Sequence, residues 1–192
     1  PPGHPRGVTA IKVPPASTPY PTRDLRALLQ MSQTILSALR FDHRLFGNLL
    51  DAAAAQVDAL DARRTADLEL LKAIGRYFED YPQRHHHPFE EVIYGHLVNQ
   101  MPAFADDVYG LIADHGEVAD RARTFREATE RLRADDPSGL ERFLPIARDF
   151  IERERAHLTA EEQLFFPYAE RILTRQQWAE VARTADHPEP ED

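Results

Sequence analysis

The chain has no cysteine, which removes disulfides, thiolate metal sites and thiol nucleophiles from consideration. That absence suits a reducing compartment, and a cytoplasmic location is expected. No apolar run approaches the ~18 residues that a membrane span requires. Positive charge is in the minority, 23 Lys and Arg against 32 Asp and Glu, for a net charge of −9. Nucleic acid and anionic membranes are therefore disfavoured as partners, because both need clustered Lys and Arg. β-branched residues are sparse and never alternate with polar ones as a half-buried strand requires. Any metal chemistry must use His, Asp and Glu, donors that suit iron, manganese or zinc.

What is abundant is Ala, Leu, Arg and Glu, all good helix formers. At 192 residues and 42% hydrophobic, the chain can bury one core. Residues 1–21 are dense in proline, with Pro1, Pro2, Pro5, Pro14, Pro15 and Pro21 among them, and read as an extended arm. Residues 186–192 are acidic and broken by proline, and read as a frayed tail. Between them, residues 22–185 form one all-α domain. Long helices are predicted at roughly 32–60, 65–98, 102–134 and 140–172, with a lead-in turn at 24–29. A bend is expected near Pro82 and Pro88, and Pro145 and Pro167 should disturb the fourth helix. Pro102 suits the first turn of the third helix. A short fifth helix at about 175–184 starts at a capping-box pattern, Thr174 with Gln177. Short connections imply an up-down-up-down four-helix bundle with a short C-terminal helix.

One stretch, Arg84-His85-His86-His87-Pro88-Phe89-Glu90-Glu91, concentrates imidazole and carboxylate. Residues four apart in a helix share a face, so His-x-x-x-Glu presents a nitrogen and an oxygen donor one turn apart. At the chain's Glu content, nine His should give fewer than one such pair by chance, yet there are four. His187/Glu191 lies in the Pro-broken tail, where the spacing has no helical meaning. His86/Glu90 and His87/Glu91 are alternative readings of one stretch, and His157/Glu161 recurs later. The second copy reads HxxxEE, which only His86 matches, so His86/Glu90 is taken as its counterpart. Asp42-His43 and Asp114-His115 precede the two claws by nearly equal distances, so the chain reads as two similar helical hairpins.

At about 1.5 Å per residue, His86 and His115 lie about 18 and 20 Å from their connection, and His115 and His157 about 29 and 26 Å from theirs. His43 and the His86 claw lie about 26 and 32 Å from the first connection, one turn apart. His43, His86, Glu90, His115, His157 and Glu161 can therefore meet at one level. Burying such groups unpaired is costly, and two cations bridged by two carboxylates would use them all. On this reading His85 and His87 fall off the claw's face. Glu91 and Glu162 are expected to be exposed or hydrogen-bonded to ligand imidazoles. Tyr94, Phe165 and Tyr168 should face inward as core, with Tyr94 or Tyr168 available as hydrogen-bond donor to a bound ligand.

Four stretches carry a family resemblance: Phe41-Asp42-His43-Arg44, the block from Tyr81 to Glu91, Asp114-His115, and His157 through Pro167. Together they resemble the hemerythrin-like (HHE cation-binding) family over roughly 32–181. The resemblance implies a four-helix bundle holding two iron ions with oxo or hydroxo and carboxylate bridges, manganese and zinc being permitted by the donors alone. It assigns the ligands as His43, His86, Glu90, His115, His157 and Glu161. It implies binding, sensing or reaction with dioxygen, nitric oxide or peroxide, with an external reductant as partner; a peroxide-degrading or oxidase-like activity is one form. The alternative is iron storage, donation or iron-centre repair under oxidative or nitrosative stress. Oxygen carriers of the family have a further helix-three His where this chain has Ala119. That departure implies open positions on both metals and redox chemistry over reversible oxygen carriage.

Overall fold

The computed structural model describes the backbone of residues 22–100, 105–133 and 135–186, and the side chains of 32–100, 114–133 and 135–183. The expected arm, the tail beyond Asp186 and Pro102 lie outside the described residues. Those described are helical throughout, joined by short turns and without a strand. The elements are α1 (Thr22–Asp61), α2 (Leu68–Tyr81), α3 (His87–Gln100), α4 (Ala105–Arg131), α5 (Pro137–Ala160), α6 (Phe166–Ile172) and α7 (Arg175–Asp186). A π turn at Pro82–His86 joins α2 to α3, and another at Glu161–Phe165 joins α5 to α6. The described residues therefore make five rods, all but the last of them long. Among the described residues no helix is long and apolar enough to cross a membrane.

The burial pattern shows why each rod packs as it does. Buried positions on α1 are Leu36, Leu39, His43, Phe46, Leu50, Ala53, Val57 and Leu60, alternating steps of three and four. Such steps keep one stripe facing a neighbour. α4 repeats the pattern with His115, Val118, Ala122, Phe125, Thr129 and Leu132. α5 repeats it with Leu140, Phe143, Ala147, Phe150, Glu154 and His157. In each stripe the site residues occupy positions that packing alone would give to Leu or Phe.

Two apolar clusters result. One joins Phe46, Leu50, Phe78, Phe125 and Phe150, with Phe125 stacked on Phe150 at 4.4 Å and Phe78 edge-on at 5.3 Å. The other joins Leu36, Leu39, Tyr94, Phe165, Phe166 and Trp178, the last brought in by α7. In every long rod that contributes to both clusters, the site residues lie between the two. α2 packs closely on α4 where Gly75 sits; a Cβ there would lie 3.0 Å from Arg126 Cα.

Several boundaries differ from expectation. α1 runs unbroken from Thr22, without a separate lead-in turn, because neither Gly nor Pro interrupts Thr22–Phe46. The second rod starts at Leu68, not Thr65, because Asp67 Oδ1 accepts from the Leu70 N–H at 2.9 Å and caps it. The bend expected at Pro82 is a π turn that begins at that residue. Pro145 lies inside a continuous α5, and Pro167 falls just after the second π turn, where the widened turn already interrupts the regular ladder. At α7, Gln177 Oε1 accepts from the Thr174 N–H at 2.8 Å, the reciprocal half of a capping box.

Candidate metal centre

His43 comes from α1, His86 from the first π turn, His87 and Glu90 from α3, His115 from α4, His157 from α5 and Glu161 from the second π turn. All seven are buried, Glu90 and Glu161 completely. Their donor atoms fall into two groups, His43, His86, Glu90 and Glu161 in one, and His87, His115 and His157 in the other. Within each, one donor atom per residue lies within 4.8 Å of every other.

The two carboxylates connect the groups, each dividing its oxygens between them. Glu90 Oε1 lies 3.2 Å from His86 Nε2 and 3.7 Å from His43 Nε2, while Oε2 lies 3.4 Å from His115 Nε2. Glu161 Oε2 lies 3.4 Å from His43 Nε2, while Oε1 lies 3.3 Å from His115 Nε2 and 3.1 Å from His157 Nε2. His43 and His86 bring their Nε2 atoms 3.0 Å apart. Despite these short separations, both oxygens of Glu90, Glu161 Oε2 and His157 Nε2 make no hydrogen bond among the described residues. Leaving such buried atoms unpaired costs about 1–3 kcal/mol each.

The separations are instead those of neighbouring ligands on a shared ion. With bonds of about 2.1 Å, ligands at right angles lie about 3.0 Å apart and tetrahedral ones about 3.4 Å. The residues therefore fit two cations bridged by Glu90 and Glu161. Nitrogen and carboxylate donors without thiolate suit iron, zinc or manganese.

Outer contacts orient the rings. His86 Nδ1–H donates to Asp42 Oδ2 at 3.1 Å, His43 Nδ1–H to Glu162 Oε1 at 3.1 Å, and His87 Nδ1–H to Gln83 Oε1 at 3.2 Å. Each bond aims Nε2 inward. Arg40 holds Glu162 at 3.2 Å, and Phe166 stacks on the His43 ring at 5.0 Å. His87 lies flat on His115, centroids 4.1 Å apart and planes 9° apart. Among the described residues Nδ1 of His115 and of His157 make no hydrogen bond, and Asp114 pairs with Arg153. The two hairpins are thus supported differently.

Without metal, protons balance the buried carboxylates. Burial alone would lower His86, but Glu90 and Asp42 outweigh it and raise it to about 10. His115 is raised to about 9 by Glu161 and Glu90 against the same penalty. His43 also rises, with Glu162 and Glu90 overcoming burial. His87 goes the other way, to about 2, through burial and the stacked His115. Burial works against the Glu90 charge, yet His86, His115 and His43 hold Glu90 well below its ordinary value. Burial, reinforced by Glu161, lifts Glu154, one turn before His157, to about 8.

The structure brings together the six residues singled out from the sequence and adds His87, which the sequence reading had placed off the inner face. The π turn is the reason. Phe78, Pro82, His86 and Glu90 are buried at successive steps of four. In an α-helix each step of four overshoots the turn by about 40°, so three would drift about 120°. A widened turn absorbs the excess and leaves both His86 and His87 facing inward. Phe165 and Phe166 are both buried at the second π turn. Glu91 is exposed, while Glu162 holds His43. Tyr94 is fully buried, edge-on to His115 at 5.7 Å, and its hydroxyl makes no hydrogen bond among the described residues. Tyr168 is half-buried against the second apolar cluster. An open cleft of about 390 Å³, lined by His43, Arg44, Leu158, Thr159, Glu162 and Gln163, reaches the site beside His43.

Residues 34–169 match the family model of the hemerythrin HHE cation binding domain, a span that contains every residue of the cluster. Among curated proteins, none matches the chain.

Proposed function

Because the chain belongs to the hemerythrin HHE cation-binding domain family, we propose that it is a non-haem di-iron protein that reacts with peroxide, dioxygen or nitric oxide. The four long rods pack as an up-down-up-down bundle around the iron pair. One observation carries this reading: Glu90 and Glu161 each turn one oxygen to the His43/His86 group and the other to the His115 side. Their two charges, with that of Asp42 behind His86, would offset most of the charge of two divalent ions. Iron, when bound, supplies a redox-active Lewis acid that coordinates and exchanges electrons with the small ligand.

The ligand set makes the two positions unequal. His43, His86 and two carboxylate oxygens offer four donors; His87, His115, His157 and two carboxylate oxygens offer five. A six-coordinate ion keeps one more open place at the first position, the one beside the cleft. His87 thus supplies the imidazole missing at Ala119, and the two metals would keep open places in unequal number, more of them on the His43 side. Glu162, steadied by Arg40, fixes the His43 ring at the cleft floor. The apolar clusters on either side exclude bulk water, and the Tyr94 hydroxyl is free to donate to a bound ligand. Tyr168 packs against the second apolar cluster.

Metal content and the optical spectrum test the reading. Two irons per chain, with ultraviolet bands that shift on adding azide or peroxide, are expected. A chain that retains fewer than two ions, or two whose spectrum ignores both ligands, would overturn it.

A further inference from the structure

The Tyr81 ring sits on the surface side of the first π turn, half-buried beside exposed His85, at a ring distance of 5.2 Å. Its hydroxyl donates to Asp42 Oδ1 at 3.3 Å, and Asp42 Oδ2 accepts from His86 Nδ1 at 3.1 Å. His86 Nε2 in turn faces the site. An unbroken chain of three groups thus joins a surface phenol to a ligand of the more open metal position. Among the described residues the other hairpin has no equivalent, since Asp114 is taken by Arg153, His157 Nδ1 makes no hydrogen bond, and Glu152 stands where Tyr81 would be.

We propose that Tyr81 is a redox relay that passes electrons one at a time from a small reductant at the surface to the metal pair. This rests on the di-iron reading above. A phenol loses an electron readily only when its proton has an acceptor, and the carboxylate of Asp42 is that acceptor. Tyr77 provides the internal comparison. It stacks on Tyr81 at 5.0 Å and 12°, yet its buried hydroxyl has no hydrogen-bond partner among the described residues to take its proton.

With peroxide as oxidant and ascorbate as the one-electron donor, the balance is one peroxide and two ascorbates giving two waters and two ascorbyl radicals. In each of two passes the Tyr81 O–H bond breaks, its proton moves to Asp42, and its electron goes through His86 to the oxidised centre. Ascorbate then returns an electron to the ring and Asp42 returns the proton. The two protons shed by ascorbate match the two that peroxide takes up on becoming water.

The test is freeze-quench electron paramagnetic resonance of the iron-loaded chain mixed with peroxide, with ascorbate oxidation measured in parallel. An organic radical is expected that narrows when the protein carries ring-deuterated tyrosine. Tyr81→Phe should abolish that radical and the ascorbate turnover while keeping two irons per chain, and Tyr77→Phe should keep both. A radical undiminished in Tyr81→Phe overturns the relay and leaves the di-iron reading intact. So does the absence of any tyrosine-derived radical in a wild-type chain that holds two irons and consumes peroxide, an outcome independent of how any variant folds. A chain that takes up no iron overturns both.

Discussion

Replacing three consecutive histidines one at a time separates the ligand set seen here from the one expected by counting turns. His85 is exposed, His86 and His87 are buried, and only the last two have donor atoms in the metal groups. Loss of an outer partner of a ligating histidine costs about 10–100-fold in metal affinity. Loss of the ligand itself should cost at least the upper end, so about 100-fold, or about 2.7 kcal/mol, is the minimum. His87→Ala should therefore weaken one of two bound ions by that much and leave the other in place. His86→Ala should weaken an ion equally and also strip Glu90 and Asp42 of a buried partner, destabilising the metal-free protein by about 3–5 kcal/mol. His87 is uncharged without metal, so its removal should cost the metal-free protein less. His85→Ala should change neither quantity. Competition with a chelator of known affinity gives the constants, and chemical denaturation the stabilities. Wild-type affinity for both ions in His87→Ala would refute the two-group geometry.

Other perturbations follow from the same contacts. Asp42→Asn and Glu162→Gln should each lower metal affinity about 10–100-fold, seen in the same chelator competition. Removing metal with a chelator should lower the melting temperature, since each site filled at 100 times its dissociation constant contributes about 2.7 kcal/mol. In the metal-free protein, His86 at about 10 and His115 at about 9 hold protons more tightly than their unfolded value of 6.5. Their stabilisation is full below pH 6.5 and is lost as pH rises through 9 to 10, so calorimetry should show the melting temperature falling across that window. Metal must displace those protons, so its affinity should rise with pH over the same range. Parallel pH profiles with and without metal would contradict this.

Much of the site was legible because i, i+4 spacing and hairpin levels depend only on helical rise, which backbone hydrogen bonding fixes. His43, His86, His115 and His157 fall where turn counting puts them. His87 was not legible, because turn counting assumes a constant 3.6 residues per turn and the chain departs from that within the HHH stretch. A signal was present: Phe78, Pro82, His86 and Glu90 stand at repeated steps of four, which an α-helix cannot keep on one face. Pro82 marked the right place but read as a bend. The pairing of Asp42 with His86 on another rod was equally hidden, since the sequence shows Asp42 only as the neighbour of His43. The early start of α1 was hidden because the lead-in at 24–29 read as a separate turn, although neither Gly nor Pro divides it from the long helix.

The central claim is that Glu90 and Glu161 bridge two ions. Crystals of the iron-loaded protein measured at the iron absorption edge test it most directly. Two anomalous peaks between those carboxylates are predicted, one against His43 and His86 and the other against His87, His115 and His157. A single peak, or two with either carboxylate touching only one, would contradict the account.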